Sequence, residues 1–555
     1  MASFPSFKTS LFFALFLVSY TTFASLSEAA VPQNQTFRFV IDDDFGPYIT
    51  EYDASYIMLD IFASPFQFAF YNTTPNEFYL ALRMGLQRSE ALFRWVWEAN
   101  RGNPVHQNAT FSFGTDGNLV LAEANGTIAW QSHTANKGVV GYKLISTGNL
   151  VLYDSKGNFI WQSFDYPTDT LLVGQSLKAG GPSSKLISRV SEKENANGPY
   201  SLVLEPKGLA LYYTSKNSAR PILYWFSSSW LSIPRGSLQN VTLTSDPEDF
   251  QVVLDYNVAN ASIYGGHGNR YIARPVNNST LTYLRLDIDG NIRLYTYFLN
   301  VRQGVWRETY TLFDRDSDDE NECQWPEKCG AFGLCEDNQC VACPLSQGLV
   351  GWSKDCKAKA VTSCRASEFH YYKLEGVEHY MSKYTRGERV SESGCESKCS
   401  KDCKCLGYFY KKEVSRCWVA YDLRTLTKVA NSSHVYDGFT LSFTSSLGLV
   451  LSSNNTPTWG GNLMVANGQR TWCVAKPSSD QAALLANINY ACSQVDCRIL
   501  QRGCPCFTPD SLINHASTAM NLYYQSRGRN HWNCDFRGSG LVVITDPSYG
   551  NCIYQ

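Results

Sequence analysis

The chain has 555 residues, 44% of them hydrophobic and 14% aromatic, which is enough for several folded domains and excludes a disordered chain. Its formal net charge of −2 is close to neutral and no basic stripe interleaved with aromatics occurs, which argues against nucleic acid as a partner. None of the 19 cysteines precedes Cys323, 12 lie from Cys323 to Cys417 and 7 from Cys473 to Cys552, so a disulfide-free half precedes two stapled regions.

At the N-terminus Lys8 is followed by an apolar run from Leu11 to Val18 and by small residues before cleavage points after Ala24 or Ala29, which reads as a secretory signal over 1–29. The run is far shorter than the ~20 apolar residues that span a bilayer. The C-terminal NCIYQ lacks the hydrophobic tail of a lipid-anchor signal, so the expectation is a secreted protein with no membrane span. Sequons at Asn34, Asn72, Asn108, Asn125, Asn240, Asn260, Asn277, Asn278, Asn431 and Asn454 agree with an extracellular glycoprotein, and an oxidising compartment permits disulfides.

Gly117–Ser132 (GNLVLAEANGTIAWQS) and Gly148–Ser163 (GNLVLYDSKGNFIWQS) form an in-register repeat of strand, turn and strand, and a fainter copy ends at Trp97. Three such units can close around an axis with Trp97, Trp130 and Trp161 packed at its centre. This stretch resembles the bulb-type mannose lectin β-prism, and WQSFDYPTDTLL (Trp161–Leu172) resembles the signature that follows it in plant S-locus-type glycoproteins. The family's mannose pockets carry Gln-x-Asp-x-Asn-x-Val-x-Tyr. On that frame the first copy keeps Asp116, Asn118 and Val120 with Gly114 and Ala122 outside them, and the second keeps Asn149, Val151 and Tyr153 with Ile145 and Thr147 before them. Both pockets are degenerate, and a site built on hydroxyl pairing weakens sharply when a partner is missing. The lectin unit is taken as 31–172.

Strand-like segments continue from Ser201 to Phe313, and 173–313 reads as a second β-prism-like domain. Its LDIDGNIRLYTY places Asp287, Asp289, Asn291, Arg293 and Tyr295 on the same frame; the remaining ligands of a calcium loop are absent, so an ordinary strand is expected.

An acidic linker, Asp314–Glu322, leads into Cys323, Cys329, Cys335, Cys340, Cys343 and Cys356, whose spacing over 323–356 resembles a growth-factor-like (EGF-like) module. Secretion and the lack of nearby histidines favour disulfides over zinc. The stretch 364–443, with CESKCSKDCKCLGYFY and CWVAYDL, resembles the PAN or apple domain, and that resemblance implies Cys395 with Cys417 and Cys399 with Cys405, leaving Cys364 for Cys403. The order of modules over Val31–Phe443 resembles the secreted epidermis-type glycoproteins of plants. Residues 444–470, rich in Ser, Asn, Gly and Thr, read as a linker.

The last module, 471–555, is dense in cysteine and paired aromatics. After Ser479 and Asp480, either of which can cap, Leu484, Leu485, Ile488 and Ala491 recur at helical spacing; Ile513, Ala516, Met520 and Tyr523 or Tyr524 mark a second helix. Adjacent tyrosines sit about 100° apart on a helix, so one of the pair lies towards solvent if its neighbour faces the core. The segment resembles the plant X-eight domain, carbohydrate-binding module family 43, which implies β-1,3-glucan binding and three disulfides: Cys473 with Cys534, Cys492 with Cys497, and Cys506 with Cys552. Cys504 is left over, to stay free or to bridge to another chain. Candidate sugar contacts are Tyr524, then Tyr523, Tyr490, Gln525, Asn521, Asp546 and Tyr549, because pyranose rings offer an apolar face to aromatics and hydroxyls to amides and carboxylates.

The fold class expected is therefore mainly β and multidomain: two β-prism lectin-like domains, disulfide-rich EGF-like and PAN/apple modules, and a small α+β disulfide-stapled C-terminal module. The function expected is a non-enzymatic cell-wall or apoplast glycoprotein that binds β-1,3-glucan or another wall polysaccharide, with no cofactor and no metal. The alternative is a soluble S-domain-like lectin or decoy that takes glycan or extracellular protein partners through the prism and PAN parts. Glycoside hydrolysis needs two carboxylates across a cleft in a catalytic domain, no such domain remains to be claimed, and His515 and His531 have no nucleophile motif around them.

Overall fold

The structure, a computed structural model, describes residues 30–554 except 43–44, 46–49, 86–92, 228–235, 247–250, 260–265, 275–280, 299–304, 318–319, 346–347, 359–368, 429–438, 447–470, 530, 544–545 and 550–551. The expected signal segment, Cys364, and the sequons at Asn260, Asn277, Asn278, Asn431 and Asn454 lie outside the described residues.

The first half is built from short antiparallel strands in triads of sheets. In the first triad, Phe37–Val40 joins Thr110–Phe113, Leu119–Ala122 and Ile128–Gln131; a second sheet runs Ser55–Ala63, Phe66–Thr74, Glu77–Met84, Arg94–Glu98; the third is Val139–Leu144, Leu150–Asp154, Phe159–Gln162. Each sheet ends in one tryptophan of the repeat. Trp97, Trp130 and Trp161 meet edge-to-face with ring centroids 6.1, 6.3 and 5.8 Å apart, a favoured aromatic geometry.

The conserved-looking letters of the repeat have a physical account. Gly117 and Gly148 turn with φ of +77° and +87°, and a Cβ there would lie 2.7 Å from Val139 and Leu172 respectively, so only glycine fits. The asparagine that follows each glycine is buried and pins the tryptophan strand. Asn118 donates to Gln131 Oε1 at 2.9 Å and accepts from Ser132 Oγ and the Thr134 N–H at 3.0 Å; Asn149 donates to Gln162 Oε1 at 2.9 Å and accepts from Ser163 Oγ and the Phe164 N–H at 3.2 Å. The Gln and Ser of each WQS therefore close the turn that opens with Gly-Asn.

The second triad comprises Thr170–Leu172 with Thr282–Leu286, Ile292–Phe298 and Val305–Thr311; Ser176–Lys178 with Ser237–Asp246, Gln251–Ala259 and His267–Ala273; and Lys185–Arg189 with Asn197–Glu205, Gly208–Tyr213 and Ile222–Phe226. Thr170–Leu172, expected to end the first unit, pairs with Tyr283–Arg285 of the second, so the strand change comes before residue 173. Buried ion pairs join the triads: Arg189 to Glu98 at 3.2 Å and Arg285 to Glu51 at 2.6 Å.

The acidic stretch expected as a linker is packed: Trp225 Nε1 donates to Glu320 at 3.4 Å and Lys328 reaches Glu322 at 2.5 Å. In the first stapled region Cys323 joins Cys335, Cys329 joins Cys340, Cys343 joins Cys356, Cys395 joins Cys417 and Cys399 joins Cys405. The two modules read separately from the sequence share one nine-stranded sheet, because Phe332–Glu336 pairs in parallel with Arg424–Lys428. Helix α1 (Tyr380–Tyr384) sends Tyr380 into the core of the second triad, and α2 (Glu392–Ser400) carries Cys395 and Cys399. Strand Phe439–Ser446 pairs with Phe369–Glu378, so the sheet takes the first three residues of the expected linker and the rest of it lies outside the described residues.

The last module pairs Trp472–Ala475 with Gly540–Val543 and lays two helices against them. Helix α3 (Gln481–Gln494) is capped by Asp480, whose Oδ1 accepts the Ala483 N–H at 2.7 Å, and α4 (Leu512–Ser526) by Ser511. Leu484 and Ala491 of α3 are buried, whereas Leu485, one residue off that stripe, is 52% exposed. On α4 the buried ladder runs Ala516, Met520, Tyr524 at i, i+4, i+8.

Candidate functional site

That ladder separates the tyrosine pair. Tyr524 is 1% exposed, its hydroxyl bonded to Thr471 Oγ1 at 2.8 Å, and burial pushes its phenol above the ordinary range. It cannot present a ring face to a sugar, which corrects its first place among the expected contacts. Asn521 is also interior: its Oδ1 accepts the Cys473 N–H at 3.1 Å, and Gln525 donates to the Thr471 carbonyl at 2.7 Å, so this pair holds strand to helix.

Tyr523, about 100° round the helix, lies at the surface beside Tyr490 of α3, which is 51% exposed. Their centroids are 5.3 Å apart and their hydroxyls 3.1 Å apart, and that hydrogen bond holds the Tyr523 phenol above its ordinary value. Phe536 completes the cluster, edge-on to Tyr490 at 6.3 Å and to Tyr523 at 5.7 Å. Phe536 and Arg537 take left-handed backbone (φ +42° and +56°), a conformation costly for residues with a Cβ that holds the ring at the helix pair. Around the rings, Arg527 lies 5.5 Å over Tyr523 and donates to Gln494 at 3.0 Å. One exposed and two half-buried rings, with a guanidinium and an amide beside them, offer aromatic faces and hydrogen-bonding groups of the kind that a sugar ring takes. Sequence reasoning missed Phe536, which sits in no periodic segment.

Tyr549 packs against a different cluster, formed by Trp472, Cys506, Cys552 and Tyr554. Asp546 is exposed and accepts from the Ser548 N–H at 2.9 Å, while the Tyr549 hydroxyl is buried without a partner among the described residues. In this module Cys473 joins Cys534, Cys492 joins Cys497, Cys506 joins Cys552, and Cys504 is free and half-buried.

Comparison with known proteins settles the ancestry. EP1-like glycoprotein 3 of Arabidopsis thaliana is 48% identical over 411 residues, which are 74% of this chain and 92% of that protein. The chain belongs to the EP1-like glycoprotein family. The epidermis-specific secreted glycoprotein EP1 of Daucus carota is 54% identical over 363 residues, 62% of this chain and 92% of its own length. A family model described as D-mannose binding lectin matches residues 94–193, and one described as X8 domain matches residues 471–541. The tail is also 51% identical over 88 residues to a glucan endo-1,3-beta-glucosidase of Triticum aestivum, covering 16% of this chain and 19% of the enzyme. This EP1-like chain is thus a lectin-like glycoprotein relative that carries an X8 module.

In the lectin part of this EP1-like protein the motif asparagines, Asn118 and Asn149, point inward to the WQS strands, so their amides are spent on the fold. Asp116 is exposed and its Oδ1 accepts the Asn118 N–H at 3.2 Å; Val120 is half-buried, Val151 is buried, and Tyr153 is half-buried over Gly141. The third frame behaves alike. Asn291 is buried and donates to Thr311 at 2.9 Å, and Arg293 binds Asp287 at 2.8 Å and Asp289 at 2.9 Å. Burial pushes the Asp287 carboxyl up to about 6 against the pull of Arg293. Asp287, Asp289, Arg293 and Tyr295 line a cleft of about 940 Å³, but the charged groups among them pair with one another. Of the described sequons, Asn34, Asn108 and Asn125 are exposed, and Asn72 and Asn240 half-buried. Among the described residues no group of three or more His, Cys, Asp or Glu is placed to hold a metal, and no helix is long and apolar enough to cross a membrane.

Proposed function

We propose that this EP1-like protein is a secreted, extracellular glycoprotein of the plant cell wall that binds β-1,3-glucan through its X8 module and catalyses nothing. The observation that carries the reading is the surface trio Tyr490, Tyr523 and Phe536, centred on the two helices of a module that a glucan endo-1,3-beta-glucosidase also carries. Glucosyl rings lie with their apolar faces on the aromatic rings while Arg527 and Gln494 take hydroxyls. The prism and PAN-like parts supply a rigid, glycosylated body that displays the module. Isothermal titration of the full-length protein with laminarin-derived oligosaccharides tests this: saturable heat that Tyr490→Ala and Tyr523→Ala each weaken about tenfold is expected. Absence of heat through the millimolar range would count against it.

A further inference from the structure

The two-stranded sheet of the X8 module turns one face to its helices, where Cys473 and Ala475, paired with Val542 and Gly540, are buried. Val474 and Leu541, paired with each other, alternate to the opposite face. There Val474 joins the cluster around Trp472 and Cys506, while Leu541 reaches out of the module and packs against the core of the nine-stranded sheet. The seat is apolar: Val341, Leu374 and Val377 of the sheet and Leu541 and Val542 of the module line one cleft of about 300 Å³. The edge strand Gly348–Gly351 lies beside Gly540–Val543 and adds Leu349, 40% exposed, to the same cleft.

Cys534 and Asp535 also line this cleft, and that joins it to the aromatic site. Phe536 sits in a turn strung between Asp535 and Gly540, so both ends of the turn lie on the seat. Its start is tied to the first strand of the module by the Cys473–Cys534 disulfide. The Asp535 carbonyl accepts the N–H groups of Gly538 at 2.7 Å and Gly540 at 3.2 Å, and a Cβ on Gly540 would lie 1.8 Å from the Cys534 carbonyl oxygen. So tight a turn has no slack in which to absorb a shift of the strand that follows it. The left-handed backbone at Phe536 and Arg537 persists only where the surroundings hold it, and the nine-stranded sheet is part of those surroundings. We propose, resting on the glucan reading above, that the body holds the Phe536 turn in its binding geometry, so that glucan affinity depends on Leu349 and Leu541. Both are positioning residues, acting through Phe536 and not as sugar contacts.

The test uses the full-length protein and reads seating and affinity separately. Lys428 of the sheet and Lys476 of the module line the same cleft, so an amine-reactive cross-linker should join them in the natural protein, as found by peptide mass spectrometry. Leu349→Glu puts a charge into the apolar seat from the body's side and leaves the module's own residues untouched; it should abolish that cross-link. Titration with laminarin-derived oligosaccharides should then show affinity weakened about fivefold in Leu349→Glu and unchanged in Leu349→Met. In a Phe536→Ala background Leu349→Glu should weaken binding no further, because its effect passes through that ring. Leu541→Asp, which charges the seat from the module's side, replaces Leu349→Glu if the latter fails to fold or stays cross-linked. Three results would overturn the inference alone: no cross-link in the natural protein, a cross-link that persists in both charged variants, or an unchanged affinity once the cross-link is lost. No heat from the natural protein with its cross-link present would overturn the glucan reading, and this inference with it.

Discussion

Tyr523 and Tyr524 are neighbours with opposite duties, and the difference is testable residue by residue. Tyr524→Phe removes the hydroxyl bonded to Thr471 and should cost about 1 kcal/mol of stability while leaving glucan affinity unchanged. Tyr523→Ala should leave the melting midpoint nearly unchanged and weaken affinity about tenfold; the reverse pattern would exchange the two roles. Helical spacing shows that one of the pair faces inward but not which, because i+3 and i+4 from Met520 both extend the apolar stripe. The deciding partner, Thr471, is 53 residues away and invisible to local periodicity. His379 carries a second prediction at this scale. Buried and stacked on Phe409, its Nδ1 accepts the Met381 N–H at 3.2 Å, so Nε2 carries the proton donated to the Leu423 carbonyl at 2.9 Å, and burial lowers its pKa to about 3. The unfolded imidazole takes a proton below about 6.5, so the unfolded state binds more protons between that pH and 3, and stability falls as pH drops through the window. Thermal melts from pH 7 to 4 should therefore fall more steeply for the natural protein than for His379→Gln; parallel curves would show that His379 is not the cause.

At the scale of elements, the two Gly-Asn turns set the prism. Asn149→Ala leaves Gln162 Oε1, the Ser163 hydroxyl proton and the Phe164 N–H without this partner in a largely buried setting and should cost about 2–3 kcal/mol in urea unfolding, with Asn118→Ala similar. A loss below about 0.5 kcal/mol in both would show that the turns stand without their pins. The repeat, its strands and the tryptophan axis were legible because period-two alternation and a Trp at the same place in each copy are local signals. The duty of the asparagines was not: the sugar frame and the WQS pin call for the same residue, and only the direction of the side chain separates them. Phe536 was hidden for another reason, since left-handed backbone at a residue with a Cβ leaves no pattern in the sequence.

Across the whole molecule, modules that read as beads share cores and sheets. The nine-stranded sheet runs through both parts of the first cysteine-rich region, and Tyr283, Tyr297 and Trp306 of the second triad enter the core of the first. Composition and cysteine spacing mark where modules lie, but a parallel pairing such as Phe332–Glu336 with Arg424–Lys428 joins strands some ninety residues apart and has no local signature. Arg285→Met, which leaves the Glu51 carboxylate without its closest partner between the triads, should cost about 3–5 kcal/mol and lower the unfolding of both triads together. Two transitions, with only the second triad shifted, would show them to be independent. Such a body, with its modules packed on one another, suits display of the proposed glucan-binding end. The direct test is depletion of the full-length protein by insoluble β-1,3-glucan, with cellulose as control, beside the Tyr490→Ala/Tyr523→Ala double variant. Saturable loss to β-1,3-glucan that the double variant lacks, with folding intact, is the predicted result. Equal binding by both proteins, or none by either, would contradict the account.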